Sequence, residues 1–410
     1  QVDGPLDEAR LRAALASVVE ATPALRTGFA RAEDGTWLQV VLRRAAQVDV
    51  AVHDVRALPA EARRARARAI VDEAHRAPFD LARPPLVRAV VVREDDARAT
   101  LAFVWFHAGF DLWSVGLVER DVLAAYDGRA PGAGPTPFRE AVRRALAATT
   151  PDADAAFFRG ALAGLDEATL TRFWRGPDGF RLPSGERDVI ARPLEAPLLG
   201  AVAAFGRARA LTSSTLLHGA WALAAAHYLR VDDVLFGSVV SGRWGDVPGI
   251  EGVVGPTMEV VPVRARVRPG DALVPWLAEL QARLAELQRF AHTPWERVAA
   301  YFDPPRRNVP AWSALVVENL PAELWERPSA TLRLHDLEHT THMVPPVVVS
   351  VFPFPTHHVK ATFDPAFFTR DDAGRLLDAF ERALAAIAAG AADVAGARAA
   401  LDASFSRWGP

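Results

Sequence analysis

Residues 86–93 (LVRAVVVR) and 99–106 (ATLAFVWF) are two runs of valine, leucine and aromatic residues without helical period, separated by the acidic, turn-like residues 94–96. Runs of this kind read as neighbouring β-strands buried on both faces. Residues 37–42 read as a further strand. Helical segments surround them. Across residues 7–20, Leu11, Ala14, Leu15, Val18 and Val19 recur at i, i+3, i+4, i+7 and i+8, which is one face of an amphipathic helix. Residues 60–77 and 113–126 also carry helical pattern, so the first part of the chain mixes sheet and helix.

The remainder repeats that mixture. Residues 138–165 are helical in pattern and 176–187 irregular. A strand at 189–194 follows, then helices at 198–209 and 214–229 and a strand at 233–240. The last third gives a helix at 272–290, strands at 313–318, 347–352 and 358–363, and an alanine-rich helix at 371–389. A Gly/Pro-rich stretch at 128–137 (GRAPGAGPTP) reads as a linker or a surface loop. At about 150 residues per domain, 410 residues point to two packed units.

Half the residues are apolar and 24% charged, a globular composition. The net charge of −3, from 47 basic and 50 acidic residues, gives no global field for nucleic acid or an anionic membrane. With no cysteine, disulfides, thiolate metal sites, iron–sulfur clusters and cysteine nucleophiles drop out. The only asparagines, Asn308 and Asn319, begin no glycosylation sequon. Neither uncharged stretch, 210–229 or 343–355, is a membrane helix: polar residues interrupt the first, and Pro345, Pro346 and Pro353 break the second. No signal peptide opens the sequence, and a cytoplasmic location is expected. Lys360 is the only lysine, a bias attributed to codon usage.

Three constellations could carry chemistry. His335, Glu338 and His339 spell H-x-x-E-H, with His342 as a further ligand candidate, but the motif runs from a strand-like segment into threonines and prolines rather than along a helix. A polar surface loop is the better reading, and no metal is expected. Arg63, Arg64, Arg66, Arg68 and Arg76 form a basic run without interleaved aromatics, which reads as a solvated helix face, with docking of an acidic protein left open. The third is residues 106–114, FHAGFDLWS. His107 ends the second strand, and Asp111 stands where a helix begins, a good N-cap. That places an imidazole near the positive end of a helix, which favours its proton-accepting neutral form. The residues alone favour the plainer reading, a hydrogen-bonded strand-end histidine with Asp111 as a simple cap.

This stretch resembles the HHxxxDG motif of condensation domains in nonribosomal peptide synthetases. Further segments match in order. Residues 21–29 (ATPALRTGF) resemble RHExLRTxF, and 212–243 resemble a long helix, a strand and a closing Gly-Arg. Residues 254–264 (VGPTMEVVPVR) resemble IGxFVNTLPLR, 290–298 (FAHTPWERV) resemble HQDxPFExxV, and 363–368 (FDPAFF) resemble YDxxLF. The match covers nearly the whole chain. It lacks the family's first motif, so the numbered chain is expected to begin inside the domain.

The resemblance implies an α/β fold of two chloramphenicol-acetyltransferase-like lobes, residues 1–180 and 181–410, set in a V with a central tunnel. It implies donor and acceptor peptidyl carrier proteins, with an acyl carrier protein also admissible, and adjacent synthetase domains as partners. The expected state is a monomeric excised domain without nucleic acid or membrane contacts. No cofactor is bound by the domain itself, because substrates arrive on phosphopantetheine arms. His107 takes the place of the catalytic histidine. Asp111 becomes structural, with Arg26 as its candidate partner; Trp113 and Ser114 complete the motif; Gly109, Leu112 and Glu259 fall on the tunnel or substrate path.

The chain also departs from the family pattern. Phe106 replaces the first His, Leu112 the Gly, Glu259 an Asn, and Ala21, Thr22 and Pro23 the Arg-His-Glu. A buried Phe106 would fill the volume of the lost histidine. Leu112 would be strained by about 1 to 2 kcal/mol if the position requires positive φ. Two functions follow: amide formation between a carrier-bound acyl or aminoacyl donor and an amine acceptor, or a degenerate domain that binds carrier proteins or recruits tailoring enzymes.

Overall fold

Side chains alternate along the strand Val87–Arg93 and divide between two cores. Val87, Ala89 and Val91 join Leu11, Leu15 and Val18 of the helix Glu8–Ala21 and Val115, Val118 and Val122 of the helix Leu112–Tyr126. Val90 and Val92 join Ala67 and Ile70 of the helix Ala60–Arg76. Burying each valine, leucine or isoleucine is worth about 1.5 to 3 kcal/mol, so helices on both faces follow from the unbroken apolar run. A computed structural model describes residues 1–401 apart from 45, 133–136, 149, 167–169, 172, 177–178, 181–182, 244–246, 308, 310, 319, 322–323, 325–328, 337, 339–344 and 353–356.

These elements belong to the first of two units, which gathers Gln1–Arg144, Arg243–Thr257 and Leu320–Thr341. Its sheet runs in the order Arg333–Leu334, Val2–Asp3, Arg98–Trp105, Val87–Arg93, Asp49–Asp54. Val87–Arg93 is antiparallel to Arg98–Trp105 and parallel to Asp49–Asp54. Burial on both faces holds for the first apolar run but not for Arg98–Trp105, where residues 101–103 and 105 are only half-buried. The reason lies in its other neighbour, Val2–Asp3, which pairs only with Ala99 and Arg98. The strand expected at 37–42 is Trp37–Val41, in an exposed hairpin with Thr27–Arg31.

The second unit gathers Ala145–Gly242, Met258–Asn319 and His342–Pro410. Its six strands run in the order Glu259–Arg266, Asp233–Val240, Ser313–Val317, Val347–Phe352, His358–Phe363, Asp188–Pro193. The ladders among Asp233–Val240, Ser313–Val317 and Val347–Phe352 are parallel and the others antiparallel. The helix Ser213–Leu229, almost entirely buried, packs against Ala196–Arg209, Leu273–Gln288 and Arg370–Ala388. Gly219 permits that approach: a Cβ there would lie 2.5 Å from Leu277 Cδ2. This distribution of apolar faces gives a mixed α/β architecture.

The helical pattern at 138–165 resolves into Phe138–Ala148 and Pro151–Leu162. Pro151, which has no N–H to donate, takes the first helical position behind the cap Thr150. The second of these helices packs its Phe157 and Phe158 on Phe290, and Phe158 also on Tyr301. It therefore lies in the second unit, which the chain first enters at Ala145. No helix among the described residues is long and apolar enough to cross a membrane.

Candidate active site

The strand Arg98–Trp105 runs through Phe106 into a 3₁₀ turn, His107–Gly109, and Phe110 and Asp111 lead into the helix Leu112–Tyr126. Asp111 is the cap: its Oδ1 accepts the Ser114 N–H at 2.7 Å. Strand and helix, both anchored in the first unit's core, hold the two ends of a six-residue connection. His107 thus stands on a turn with little freedom to move.

His107 Nδ1 lies 2.8 Å from the carbonyl oxygen of Phe110. A carbonyl only accepts, so the neutral ring carries its proton on Nδ1 and its lone pair on Nε2. Half-buried, this imidazole is oriented as a proton acceptor. Beside it, a Cβ placed on Gly109 would meet no heavy atom within 4 Å, so a reacting group has room over the turn.

Asp111 is 3% exposed, and its carboxylate is fully engaged. Arg243 Nη2 donates at 3.0 and 3.1 Å to its two oxygens, and Thr257 donates to Oδ2 from its N–H and its hydroxyl, both at 3.0 Å. Arg243 Nη1 reaches the carbonyls of Ile250 and Val253, and its Nη2 also reaches Ser114 Oγ at 3.1 Å. Burial pulls the Arg243 guanidinium below its ordinary value, and Asp111 opposes the shift. In this buried ion pair the guanidinium and the carboxylate each offset the other's loss of hydration.

The remaining motif residues tie the same two segments together. Ser114 Oγ donates to the Gly255 carbonyl at 2.8 Å and receives the Gly255 N–H at 3.0 Å. Trp113 Nε1 donates to the Glu251 carbonyl at 2.8 Å, and its ring lies 5.2 Å from the Arg243 guanidinium carbon. Residues 243–257, reached only after a passage through the second unit, therefore form the floor under the His107 turn.

Several sequence expectations change. Arg26 does not pair with Asp111. It donates to the carbonyls of Leu42 and Arg43 and braces the exposed hairpin, because those acceptors follow directly on the strand beside it. Leu112 has no positive φ; behind a cap residue it is the first residue of a right-handed helix, so the expected strain is absent. Phe106 is half-buried rather than buried, and packs edge-on to Phe29 at 5.5 Å and tilted to Phe79 at 6.4 Å. Glu259 opens the strand Glu259–Arg266 in the second unit, its carboxylate 3.9 Å from His292 Nδ1. Of the H-x-x-E-H group, His335 lies between Asp3 and Asp336, at 3.3 Å from each. His339 and His342 fall outside the described residues, and no metal-ligand cluster occurs among the described ones. Sequence reasoning missed Arg243 as the partner of Asp111, together with Thr257 and Gly255; the signal present was the Gly-Arg that closes residues 212–243.

The family model described as Condensation domain matches residues 1–397. Chondramide synthase cmdD of Chondromyces crocatus is 31% identical over 89% of the chain, which spans 9% of that relative's length. Among solved structures, a four-domain nonribosomal peptide synthetase, holo-AB3403 bound to AMP and glycine, superposes with a TM-score of 0.81 at 16% identity, covering 96% of this chain and 31% of that one. The X-domain in its complex with OxyB from teicoplanin biosynthesis gives 0.74 at 21%, covering 96% and 88%. The two-unit architecture is thus the chloramphenicol-acetyltransferase-like fold of these domains. With a family match across nearly all of its length, which takes in the His107 turn and its floor, this chain belongs to the condensation-domain family.

Proposed function

We propose that the chain forms amide bonds in a nonribosomal peptide synthetase, joining a carrier-bound acyl or aminoacyl donor to an amine acceptor. The observation that carries this reading is the His107 Nδ1 to Phe110 carbonyl contact, which leaves Nε2 as the proton acceptor over an open turn. An α-amine has a pKa of about 7.7 to 8.0, so a neutral fraction exists near pH 7 without help. The acceptor nitrogen adds to the thioester carbon, and His107 takes the surplus proton from the zwitterionic adduct. As the adduct collapses, the C–S bond breaks and the proton passes to the departing sulfur. A positioned base of this kind is worth about 10²- to 10⁴-fold.

Asp111 and Arg243 act in this reading as supports and not as acid or base, since every acceptor site of the carboxylate is taken. The thioester supplies the activated carbonyl, so the domain needs no cofactor of its own; donor and acceptor carrier proteins present the substrates on phosphopantetheine arms, in the cytoplasm, with further synthetase domains alongside. Phe106 favours a second reading, in which the domain binds carrier proteins or a tailoring enzyme without forming bonds, because a phenyl ring replaces a polar supporting residue. Intact-mass analysis of loaded donor and acceptor carrier proteins decides between them. Product formed by the wild type and lost in His107→Ala supports condensation; equal transfer with and without the chain overturns it.

A further inference from the structure

The two edges of the hairpin formed by Thr27–Arg31 and Trp37–Val41 differ. Along the first strand, the Phe29 N–H donates to the Leu81 carbonyl at 2.7 Å, and a Cβ on Gly28 would meet the same carbonyl at 3.0 Å, so that edge is held against the first unit. The second strand pairs with no other strand among the described residues. Bonds at the hairpin's ends set the alternation within it: the Leu42 N–H donates to the Arg26 carbonyl, and the Ala32 N–H to the Thr36 carbonyl. The backbone groups of residues 36, 38, 40 and 42 therefore turn inward, and those of Trp37, Gln39 and Val41 turn outward. Residues 36–42 (TWLQVVL) hold no charge and no proline to discourage further pairing. Trp37, Leu38, Val40, Val41 and Leu42 are 36% to 60% exposed, five of the nine large apolar side chains that stand exposed among the described residues. Apolar surface concentrated in this way marks an interface.

The flanking charges specify what pairs there. Glu33 and Asp34 precede the strand and Arg43 and Arg44 follow it, and none of the four side chains makes an ion pair among the described residues. Two copies of the strand laid antiparallel about Gln39 set Trp37 opposite Val41, Leu38 opposite Val40, and Gln39 opposite itself. Every outward backbone group then finds a partner, and an aromatic ring meets a β-branched side chain at each end. The same register brings Asp34 of each copy to Arg44 of the other, whereas a parallel alignment would set like charges together. We propose that this edge is a homodimer interface, in which two copies pair through Trp37–Val41 about a two-fold axis at Gln39, closed at both ends by Asp34–Arg44 ion pairs. The contact is isologous, so it closes on two chains and leaves no free edge. It replaces the monomeric state expected from the family resemblance, and it does not depend on the chemistry of His107.

The test is sedimentation velocity on the full chain at about 1 to 200 µM, a range suited to an interface of this modest size. The expected result is a monomer–dimer equilibrium. Gln39→Lys sets two like charges across the axis and should weaken it at least about tenfold, at unchanged melting temperature because the side chain is exposed. Arg43→Glu with Arg44→Glu leaves acid at both ends of the strand. Glu33→Arg with Asp34→Asn leaves base at both ends and keeps an acceptor for the Thr36 N–H. Each of these variants should be monomeric alone, and an equimolar mixture should dimerise again. The chain has no cysteine of its own, so Gln39→Cys reads the register directly. Its two Cα atoms would stand about 5.5 Å apart, within disulfide reach, and mild oxidation should link them, while Val52→Cys, exposed on another strand, stays unlinked. A chain that is monomeric throughout, a dimer indifferent to Gln39→Lys, or a mixture of charge variants that associates no better than its parts overturns the proposal. So does association only with a different protein.

Discussion

Asp111 and Arg243 are 132 residues apart in the sequence and meet as a buried ion pair in which one guanidinium nitrogen lies 3.0 and 3.1 Å from the two carboxylate oxygens. The pair fastens the start of the helix Leu112–Tyr126 to the segment Arg243–Thr257. The His107 turn is held between that joint and the preceding strand, so the geometry of the imidazole depends on two residues that need not touch a substrate.

Breaking the pair from either side leaves a buried charge without its counterpart. Asp111→Ala and Arg243→Ala are each expected to lower unfolding free energy by about 3 to 5 kcal/mol in urea titrations. The double variant should cost clearly less than the sum of the two, because the second substitution removes the stranded charge. Additive losses would mean that the pair is not coupled as its geometry implies.

His107→Ala should reduce product formation by at least about tenfold, and up to the 10²- to 10⁴-fold typical of a lost general base, with little change in melting temperature. The half-buried ring contributes one hydrogen bond to its own turn, so its removal spares the core. A large fall in stability accompanying the fall in rate would assign His107 a structural role instead.

How much of this was legible in the sequence depended on range. The helix cap at Asp111 was readable because the cap and the N–H it satisfies are three positions apart, within one strand-to-helix connection. The same logic places residue 112 at the first helical position, and so already argues against a positive φ there. Arg243 was not readable as the partner: nothing local distinguishes the arginine that will meet a distant carboxylate from Arg26, whose guanidinium is taken by neighbouring carbonyls. The strand Asp49–Asp54 escaped notice for a related reason. Its sequence DVAVHD carries little apolar pattern, and its place comes from parallel pairing with Val87–Arg93.

Gly255 and Gly109 predict opposite outcomes for the same substitution. A Cβ on Gly255 would fall 2.3 Å from Phe138 Cδ2 and 2.4 Å from Cγ, at a residue whose N–H and carbonyl both bind Ser114 Oγ. Gly255→Ala should therefore cost about 1 to 3 kcal/mol through overpacking, and adding Phe138→Ala should return part of that loss. Gly109→Ala meets open space and should change stability by no more than about 0.5 kcal/mol. If Gly109→Ala nevertheless slows turnover, the added methyl reports a substrate passing over the turn.

The pH dependence of stability should carry the signature of His218. This residue is 4% exposed; its Nδ1 donates to the Ser214 carbonyl at 2.7 Å, which leaves Nε2 to accept the Ser238 hydroxyl at 2.8 Å. Burial lowers its pKa from 6.5 to about 4, the Ser214 contact opposing. The folded chain thus binds fewer protons than the unfolded chain between those values. The associated stability is complete above pH 6.5, declines as pH falls, and is lost in full once pH passes below about 4. At 1.36 kcal/mol per unit, the loss amounts to about 3 kcal/mol. His218→Gln can donate to Ser214 and accept from Ser238 without titrating, so urea midpoints measured at stepped pH should fall less steeply for the variant across this window. Identical slopes for the two proteins would show that His218 titrates normally and that its burial does not govern the acid limb.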